Sequence, residues 1–90
     1  MEITWDDRKE AQNIKVHKVD FAEASSVIVN PISAYALNKH RSGKRFEYIG
    51  HSDRGRVLYV VTVEELDDQC RILSARKAES YEREKYEKRL

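Results

Sequence analysis

Arg45 and Arg76 are the two residues of this sequence whose type and setting best suit chemistry on an anion. Each lies in a basic segment, flanks a predicted strand and has an apolar neighbour, Phe46 or Ala75, that favours a fixed position. A fixed guanidinium presents two parallel N–H donors to the oxygens of a phosphate. We therefore expect both arginines to contact phosphate, with a structural ion pair as the alternative for each.

The charge distribution along the chain supports an anion site. Residues 31–56 hold six Lys and Arg against two acids, and residues 71–90 hold seven against four, although the net charge is only +1. Residues 57–70, between these blocks, contain four acids and no base. Two basic blocks on either side of an apolar strand can converge on one face, which gives a local anion site without a polycationic protein.

Three more residues have types that suit this chemistry, and each has a structural alternative. His17 can exchange a proton near neutral pH, but it lies between two predicted helices, where capping or packing is common. Glu23 is either a general base or the second half of a capping box that begins at Asp20. Arg71 either contacts phosphate or forms a cross-strand ion pair with the acids of residues 64–68.

Length and composition exclude several classes of protein. Ninety residues predict one domain, residues 1–90, and a lone Cys70 excludes an intramolecular disulfide framework or a cysteine-rich zinc site. No apolar run approaches the ~20 residues of a membrane span, and no signal-peptide pattern opens the chain, so we expect a cytoplasmic protein. Motifs of NTPases, zincins and serine hydrolases are missing, and we expect neither a metal nor a cofactor.

The hydrophobic pattern predicts the order β-α-α-β-β-β-β-α, an α+β domain whose small, mostly antiparallel sheet has four to five strands, two N-terminal helices and a C-terminal helix. The predicted elements are a strand at 1–5, a helix from Asp6 or Asp7 to Lys15, a helix from Asp20 to Val27, strands at 32–37, 46–51, 57–63 and 69–74, and a helix from Glu79.

Details of this assignment place the chemistry. The β-branched run Val57–Val63 predicts a central strand covered on both faces, and Asn38–Lys44 reads as a polar loop. In the last strand, alternation puts Cys70, Ile72 and a possible Ser74 on one side, with Arg71 on the other. Trp5 shares a face with Ile3, which favours a core anchor over a platform for base stacking.

Three blocks of sequence, in order and spanning nearly the whole chain, carry a resemblance. The first is Ile3-x-Trp5-Asp6-x-x-Lys9-x-x-x-Asn13 with His17-x-Val19-x-Phe21-x-Glu23-Ala24. The second is Arg45-Phe46-x-x-Ile49-Gly50 with Gly55-Arg56-x-Leu58-x-Val60-Val61. The third is Arg71-Ile-Leu-Ser74-Ala75-Arg76-Lys77-Ala78 with Glu82-Arg83-x-x-Tyr86. Together these blocks resemble the BrnT toxins.

This resemblance implies a ribonuclease toxin of a type II toxin–antitoxin pair with a RelE-like fold. Such toxins cut RNA, inhibit translation and are neutralised by a BrnA antitoxin, a ribbon-helix-helix protein that binds DNA as a dimer. The sequence departs from the family at Val16 and Lys18, where a lysine and a glycine are usual. If the family's lysine contacts RNA, Lys15 or Lys18 must substitute for it here.

The resemblance and the residue types together give the expected site of an endoribonuclease. In metal-free cleavage the 2′-hydroxyl attacks the phosphate, while a base, an acid and cations assist. The expected catalytic residues are Arg45, Arg76, His17, Glu23 and Lys9, and the expected RNA-binding residues are Arg71, Arg56, Lys77 and Lys15. A binding module for RNA or a partner without catalysis, or a structural domain that docks a partner on its edge strand, is the alternative.

Overall fold

The computed structural model describes residues 1–40, 43–65 and 68–89. Its elements, in chain order, are β1 (Glu2–Trp5), α1 (Asp7–His17), α2 (Phe21–Val29), β2 (Ala34–His40), β3 (Gly43–His51), β4 (Val57–Glu65), β5 (Gln69–Lys77) and α3 (Ser80–Glu87). The predicted order of elements and the α+β class are confirmed. Among the described residues, no helix has the length and apolar character needed to cross a membrane.

One five-stranded sheet, in the order β1-β5-β4-β3-β2, organises the molecule. Strands β2 to β5 form an antiparallel meander, and β1 joins the far edge by pairing in parallel with β5. The β-branched run Val57–Val63 lies in β4, the middle strand, as its apolar character predicts. The expected cover on both faces is incomplete, because Val61 and Val63 are only half-buried while Leu58 and Val60 are fully buried. The sheet is therefore mostly antiparallel, as expected.

Side-chain oxygens and backbone geometry set the ends of the first two helices. The Asp6 carboxylate accepts from the backbone N–H groups of Arg8 and Lys9 at the start of α1. Lys18 then adopts a left-handed conformation with φ 61°, which ends α1. Asp20 caps α2 in the same way as Asp6 caps α1, and Asn30 before Pro31 leaves the helical region and ends α2.

The core lies on one face of the sheet, beneath α2. Its fully buried members lie in β4, β5, α2 and the segment before α2; they are Val19, Phe21, Ala24, Val27, Leu58, Val60, Ile72 and Ala75. Trp5 packs against this cluster with its ring edge-to-face on Phe21, at 6.1 Å between centroids. Trp5 is thus a core anchor, the interpretation that its pattern favoured.

The polar segment Asn38–Lys44 was expected to be a loop, and this expectation is wrong for its described part. Strand β2 continues to His40 and pairs with β3 from Gly43 onward, so Asn38 lies opposite Arg45. Antiparallel pairing satisfies the backbone of a polar segment as well as that of an apolar one. Residues 41 and 42 lie outside the described part of the chain.

A β-bulge in β5 changes which residues of that strand face the core. Thr62 lies opposite Ile72, but the next pair joins Val61 to Ser74, so Leu73 is an extra residue. Alternation restarts after the bulge, and Ala75 rather than Ser74 turns into the core. The possible placement of Ser74 beside Ile72 is therefore wrong, because local sequence does not specify a bulge.

Candidate functional site

The sheet face opposite the core, which we call the open face, carries the arginines singled out from the sequence. Cross-strand pairing arranges its side chains in three rows from β3 through β4 to β5: Arg45–Val63–Arg71, Glu47–Val61–Ser74 and Ile49–Tyr59–Arg76. Neighbouring strands are about 4.8 Å apart, so residues at the two ends of a row lie roughly 10 Å apart. Residues from the two basic segments therefore converge on one face.

The first row sets Arg45 and Arg71 on either side of Val63. Both arginines are partly buried and interact with neighbouring groups of the protein. Arg71 also contributes to lowering the pKa of the Asp6 carboxyl, an effect that comes mainly from the backbone N–H groups of Lys9 and Arg8. Two guanidinium groups at this separation make a positive strip across the sheet, which suits consecutive anionic groups of one ligand.

Arg76, at the end of the third row, is held by α3. Its Nη1 and Nη2 donate to the two carboxylate oxygens of Glu82 at 2.8 and 3.1 Å. The guanidinium carbon also lies 4.5 Å from the centre of the Tyr59 ring. The hydrogen bonds between the two groups raise the pKa of Arg76 and lower that of Glu82. This bidentate pair uses the two parallel N–H donors that an arginine can equally present to two oxygens of a phosphate.

Local sequence explains why Glu82 reaches Arg76. Two residues separate β5 from α3, so the chain turns back over the sheet as soon as the strand ends. Glu82 lies in the first turn of α3, where its carboxylate also accepts from the backbone N–H of Glu79 at 2.8 Å. Carboxylates are favoured at this end of a helix by the orphan N–H groups and the dipole. The helix terminus thus fixes the carboxylate that orients Arg76.

Tyr59 and Glu47 are neighbours on the open face that the sequence did not single out. Burial raises the pKa of the Tyr59 hydroxyl, and its hydrogen bond to Glu47 raises it further. The hydroxyl is therefore a protonated donor at physiological pH, and Glu47 accepts from it. Their alternation in strands was visible in the sequence, but their pairing across two strands depends on register, which local pattern does not give.

A groove beside the bulge of β5 holds Lys9 and His17. This cavity of about 310 Å³ lies between α1 and β5 and is lined by Lys9, Gln12, Asn13, Val16, His17, Leu73 and Ser74. His17 is the last residue of α1 rather than a loop residue, and its side chain is exposed. Because Ser74 belongs to both the groove and the open face, Lys9 and His17 lie along the edge of that face.

Asn13 fixes α1 against the edge of β5. Its Nδ2 donates to the carbonyls of Ala75 and Val19 at 2.8 and 2.9 Å, and its Oδ1 accepts from the N–H of Ala75 at 3.0 Å. The buried amide thereby pairs with the strand edge as a further strand would. The sequence analysis placed Asn13 only within a motif, because its role depends on a contact with Ala75, 62 residues further along the chain.

Glu23 and Arg56, two further predicted site residues, form a separate cluster that we call the turn cluster, with Ser52, Arg54 and Lys18. The Glu23 side chain is 1% exposed and accepts from Ser52 Oγ at 2.7 Å and from Arg56 Nε at 3.0 Å. Arg56 Nη2 bonds the other oxygen of Glu23 and also donates to the Lys18 carbonyl. Arg54 Nη1 lies 3.8 Å from Glu23. The cluster ties α2 to the turn between β3 and β4.

The partners of Glu23 decide between its two predicted roles. Its backbone N–H donates to the Asp20 side chain at 2.7 Å, so Asp20 caps the helix, but the expected capping box is wrong because the Glu23 carboxylate does not turn back to the Asp20 N–H. The Glu23 carboxylate, however, is directed to Arg56 and Ser52, and the bond from Arg56 is the main cause of its lowered pKa. A general base needs an accessible oxygen and a pKa closer to neutral. This environment suits a structural carboxylate.

The structure therefore separates the predicted site residues into groups. Arg45, Arg71 and Arg76 share the open face, Lys9 and His17 line its edge, and Glu23 with Arg56 lies in the turn cluster. Lys15 and Lys77 are exposed at the ends of α1 and β5. Within residues 1–40, 43–65 and 68–89, no group of three or more His, Cys, Asp and Glu is arranged to hold a metal ion.

Comparisons with known proteins agree with this architecture. A crystal structure of the Brucella abortus ribonuclease toxin, BrnT, matches with a TM-score of 0.66 and 22% sequence identity, over 89% of this chain and 99% of that one. No curated protein sequence gave a match. Residues 5–82 match the family model described as the ribonuclease toxin, BrnT, of type II toxin–antitoxin systems. The chain therefore belongs to the BrnT family of ribonuclease toxins.

Proposed function

We propose that this chain is a metal-independent endoribonuclease whose cleavage of RNA inhibits translation and growth. Membership of the family makes it a ribonuclease toxin of a type II toxin–antitoxin system. The observation that carries the finer proposal is the convergence of Arg45, Arg71 and Arg76 on the open face, with His17 at its edge. Such a surface supplies hydrogen-bond donors for phosphate oxygens and an imidazole for proton transfer, and neither needs a bound metal.

In this proposal the arginines act on the phosphate and His17 acts on protons. The phosphorane formed by attack of the 2′-hydroxyl carries more charge than the phosphodiester, so fixed guanidinium groups of Arg45 and Arg76 favour the transition state. His17 acts as the acid or the base, and Lys9 beside it in the groove contacts the scissile region. Arg71, Lys15 and Lys77 bind phosphates on either side.

Glu82 occupies Arg76 in the free protein, so RNA has to replace that carboxylate. The two Glu82 oxygens take the fork of the guanidinium at 2.8 and 3.1 Å, as two oxygens of a phosphate would. The Arg76 side chain remains 31% exposed, which leaves it open to an incoming phosphate. The exchange of one anion for another keeps the arginine paired throughout.

Glu23 and Arg56, expected in the catalytic and RNA-binding sets, take no part in this mechanism. Four hydrogen bonds within the turn cluster already engage them, and the Glu23 carboxylate is almost fully buried. We propose instead that they hold the turn between β3 and β4, which fixes the register of Arg45 with its row. Glu23 is then not the general base, and His17 remains the residue of this site that exchanges protons.

The partner that we propose for this chain is a BrnA-type antitoxin with a ribbon-helix-helix fold that binds DNA through its dimer. A type II system pairs its toxin with an antitoxin protein, and family membership gives this chain such a partner. We expect the antitoxin to cover part of the basic surface, so the complex should bind RNA more weakly than the free chain. Expression of the chain alone should arrest bacterial growth, and co-expression of an adjacent antitoxin gene should restore it.

The experiment that tests this function is cleavage of an end-labelled oligoribonucleotide in excess EDTA. Attack by the 2′-hydroxyl predicts products that end in a 2′,3′-cyclic phosphate, and no cleavage of the same sequence made of deoxynucleotides. A matched control is Arg83→Ala, which removes an arginine paired with Glu87 on the far part of α3. RNA that is retarded in a gel but stays intact with both the wild-type protein and Arg83→Ala would favour the non-catalytic binding module.

A further inference from the structure

The core face of the sheet is left uncovered at its β2 end. Helix α2 packs on β3, β4 and β5. Two cross-strand rows run from the core toward β2, namely Val60–Tyr48–Tyr35 and Thr62–Phe46–Leu37. Both rows begin at fully buried residues of β4, but Tyr35 is 69% exposed and Leu37 is 47% exposed. The apolar face of the sheet therefore continues beyond the helix that covers it, which is typical of a surface that binds another molecule.

The exposed part of this face forms one continuous apolar surface, which we call the edge patch: Val29, Tyr35, Leu37, Phe46 and Tyr48. The Tyr35 ring lies beside those of Phe46 and Tyr48, with 6.3 and 5.9 Å between centroids. A cavity of about 250 Å³ lies between the Tyr35 and Tyr48 side chains and the C-terminal end of α2. A cavity of this kind can hold a bulky apolar side chain of a partner as an anchor.

Strand β2 also offers its backbone to a partner. It is the outermost strand on this side of the sheet, and no strand among the described residues pairs with its outer edge. It pairs with β3 in one unbroken register over seven residues and contains no proline, whereas β1 at the opposite edge has four residues. An exposed edge of this length presents N–H and C=O groups to which an extended segment can add as a further strand.

The chain is strongly basic where β2 ends and β3 begins. Residues 39–45 contain two lysines, two arginines and a histidine but no acid, and we call them the basic segment. Register places Lys39 opposite Lys44, and Lys44 is exposed. A partner that lies along β2 is therefore favoured if it carries acidic residues at the end beside the basic segment.

Charge argues against a second copy of this chain as the occupant. Residues 24–46 contain no Asp or Glu. Two β2 strands paired antiparallel about Leu37 would place residues 29–35 of one copy beside the basic segment of the other, where no acid would meet it. Parallel pairing would bring the two basic segments together, and like charges opposite each other are unfavourable. The occupant has to bring its own acids.

RNA carries the required negative charge but fits the rest of the surface poorly. A nucleic acid would not pair with the backbone edge of β2, and the aliphatic side chains of Val29 and Leu37 offer it no stacking surface. The edge patch also lies on the opposite face of the sheet from Arg71 and Arg76. A protein segment uses the backbone edge, the apolar side chains and the basic segment together.

We propose that the edge patch and the outer edge of β2 bind an extended segment of the antitoxin, which adds to the sheet as a further strand. Alternate side chains of this segment are apolar and lie on the edge patch, because every second residue of a strand faces the same side. Acidic residues of the segment lie beside the basic segment. This inference rests on the proposed function, because the antitoxin is the partner proposed there.

The position of Arg45 explains how binding at this edge can neutralise the toxin. Arg45 is the last residue of the basic segment and the first of the row Arg45–Val63–Arg71 on the open face. An antitoxin strand along β2 therefore ends next to the surface that contacts RNA in the proposed mechanism. The acidic end of the strand places negative charge where phosphates would approach.

The first test measures the affinity of the antitoxin encoded beside the gene for this chain. Tyr35→Ser and Leu37→Ser should each weaken its binding at least about tenfold, as the loss of a central apolar contact does. Ile14→Ser is the matched control, because Ile14 is 42% exposed and lies on α1, which packs on β5. The control should change affinity by less than about twofold. Isothermal titration measures the affinities, and circular dichroism checks that each variant is folded.

The second test addresses charge without altering the apolar surface. Lys44→Glu should weaken antitoxin binding at least about fivefold at low ionic strength, and the loss should shrink in about 0.5 M NaCl, because salt screens exposed charges. Lys88→Glu makes the same change in net charge at an exposed position of the chain outside this surface. Equal losses for the two variants would mean that only net charge matters and would overturn the acidic end of the proposed segment.

Hydrogen exchange tests whether the bound segment is a strand. The outward-pointing backbone amides within residues 34–37 should exchange at least about tenfold more slowly in the complex, because strand pairing gives them acceptors. Antitoxin binding that depends on Tyr35 and Leu37 but leaves these amides unprotected would overturn strand addition.

Failure of this inference can be told from failure of the proposed function. Unchanged antitoxin affinity in Tyr35→Ser and Leu37→Ser would reject the edge patch and leave the ribonuclease proposal standing. Weaker RNA binding by these variants, or a dimer of the free chain that Leu37→Ser dissociates, would identify RNA or a second copy as the occupant and also overturn the inference. Antitoxin binding that depends on the edge patch, in a protein that cuts no RNA, would support the site and reject catalysis.

Discussion

Two arginine–glutamate pairs in this small domain use the same chemical groups in different surroundings. In the turn cluster, Glu23 is 1% exposed and bonds Ser52 as well as Arg56, whose side chain is 27% exposed. On the open face, Glu82 is 12% exposed and Arg76 is 31% exposed, at the edge of a cavity and above the Tyr59 ring. The first pair closes a turn, and the second borders open space.

The difference lies in what else could take the place of each partner. Glu23 is surrounded by donors that belong to the protein, so its loss leaves Arg56 and Ser52 without their acceptor. Glu82 holds a guanidinium that a phosphate of the ligand can also hold. An ion pair whose acceptor can be replaced by a ligand suits function, and a pair enclosed by its own chain suits stability. Residue type alone therefore does not distinguish the two pairs.

The largest expected effect is on stability and follows from loss of the turn-cluster carboxylate. Glu23→Ala should lower the free energy of unfolding by about 3 kcal/mol, because breaking a buried pair leaves an uncompensated charge. Glu84→Ala, which removes an exposed pair with Lys88, should change it by less than about 1 kcal/mol. Urea denaturation measures both values. Equal effects of the two substitutions would mean that the Glu23–Arg56 pair stabilises the fold no more than an exposed ion pair does.

The contribution of Glu23 to stability should also depend on pH. Arg56 lowers the pKa of Glu23 in the folded protein, so protonation of this carboxyl favours the unfolded chain. Its stabilising contribution is complete above the ordinary glutamate pKa of about 4.3 and is lost as the pH falls toward the lowered folded value. The difference in unfolding free energy between wild type and Glu23→Gln should therefore be constant above about pH 5 and shrink below it. A difference that grows on acidification would contradict the assigned sign.

The smallest effect is expected from the open-face pair. Glu82→Gln should strengthen RNA binding by about threefold, because a partly exposed ion pair contributes about 0–1 kcal/mol and no longer competes with phosphate. Glu87→Gln removes the carboxylate paired with Arg83 on the same helix and matches the change in net charge. Fluorescence anisotropy with labelled RNA compares them. Equal strengthening by both variants would mean that only net charge matters and that Glu82 does not compete at Arg76.

Local features of the sequence predicted much of the fold. Asp6 and Asp20 cap their helices, Asn30 before Pro31 ends α2, and the β-branched run becomes the central strand, because each depends on neighbouring residues. The parallel pairing of β1 with β5 and the bulge at Leu73 were not predicted. Both are set by contacts between distant segments, which a local pattern does not encode.

The candidate site shows the same division. The arginines were recognised from charge and apolar neighbours, and they converge because the two basic segments lie on β3 and β5, the strands on either side of β4. The sequence analysis did not predict the contacts that decide the roles of these residues. Glu82 pairs with Arg76, and Ser52 and Arg56 bond the Glu23 carboxylate. Each of these contacts depends on how a helix or turn packs against the sheet. Glu82 belongs to the third block of the resemblance and lies six residues after Arg76, but that spacing alone does not predict an ion pair between a strand and a helix.

The most direct test of the central claim is single-turnover RNA cleavage by Arg76→Ala at saturating enzyme. The account predicts a rate at least about tenfold below wild type, since removing one donor to a developing oxyanion typically costs about 10²–10³. Arg76→Lys should not restore it fully, because an ammonium lacks the two-pronged contact. The free energy of unfolding should stay within about 1 kcal/mol of wild type, as for a partly exposed pair. A wild-type rate once RNA is bound would make Arg76 an anchor or a structural ion pair and contradict its assigned role.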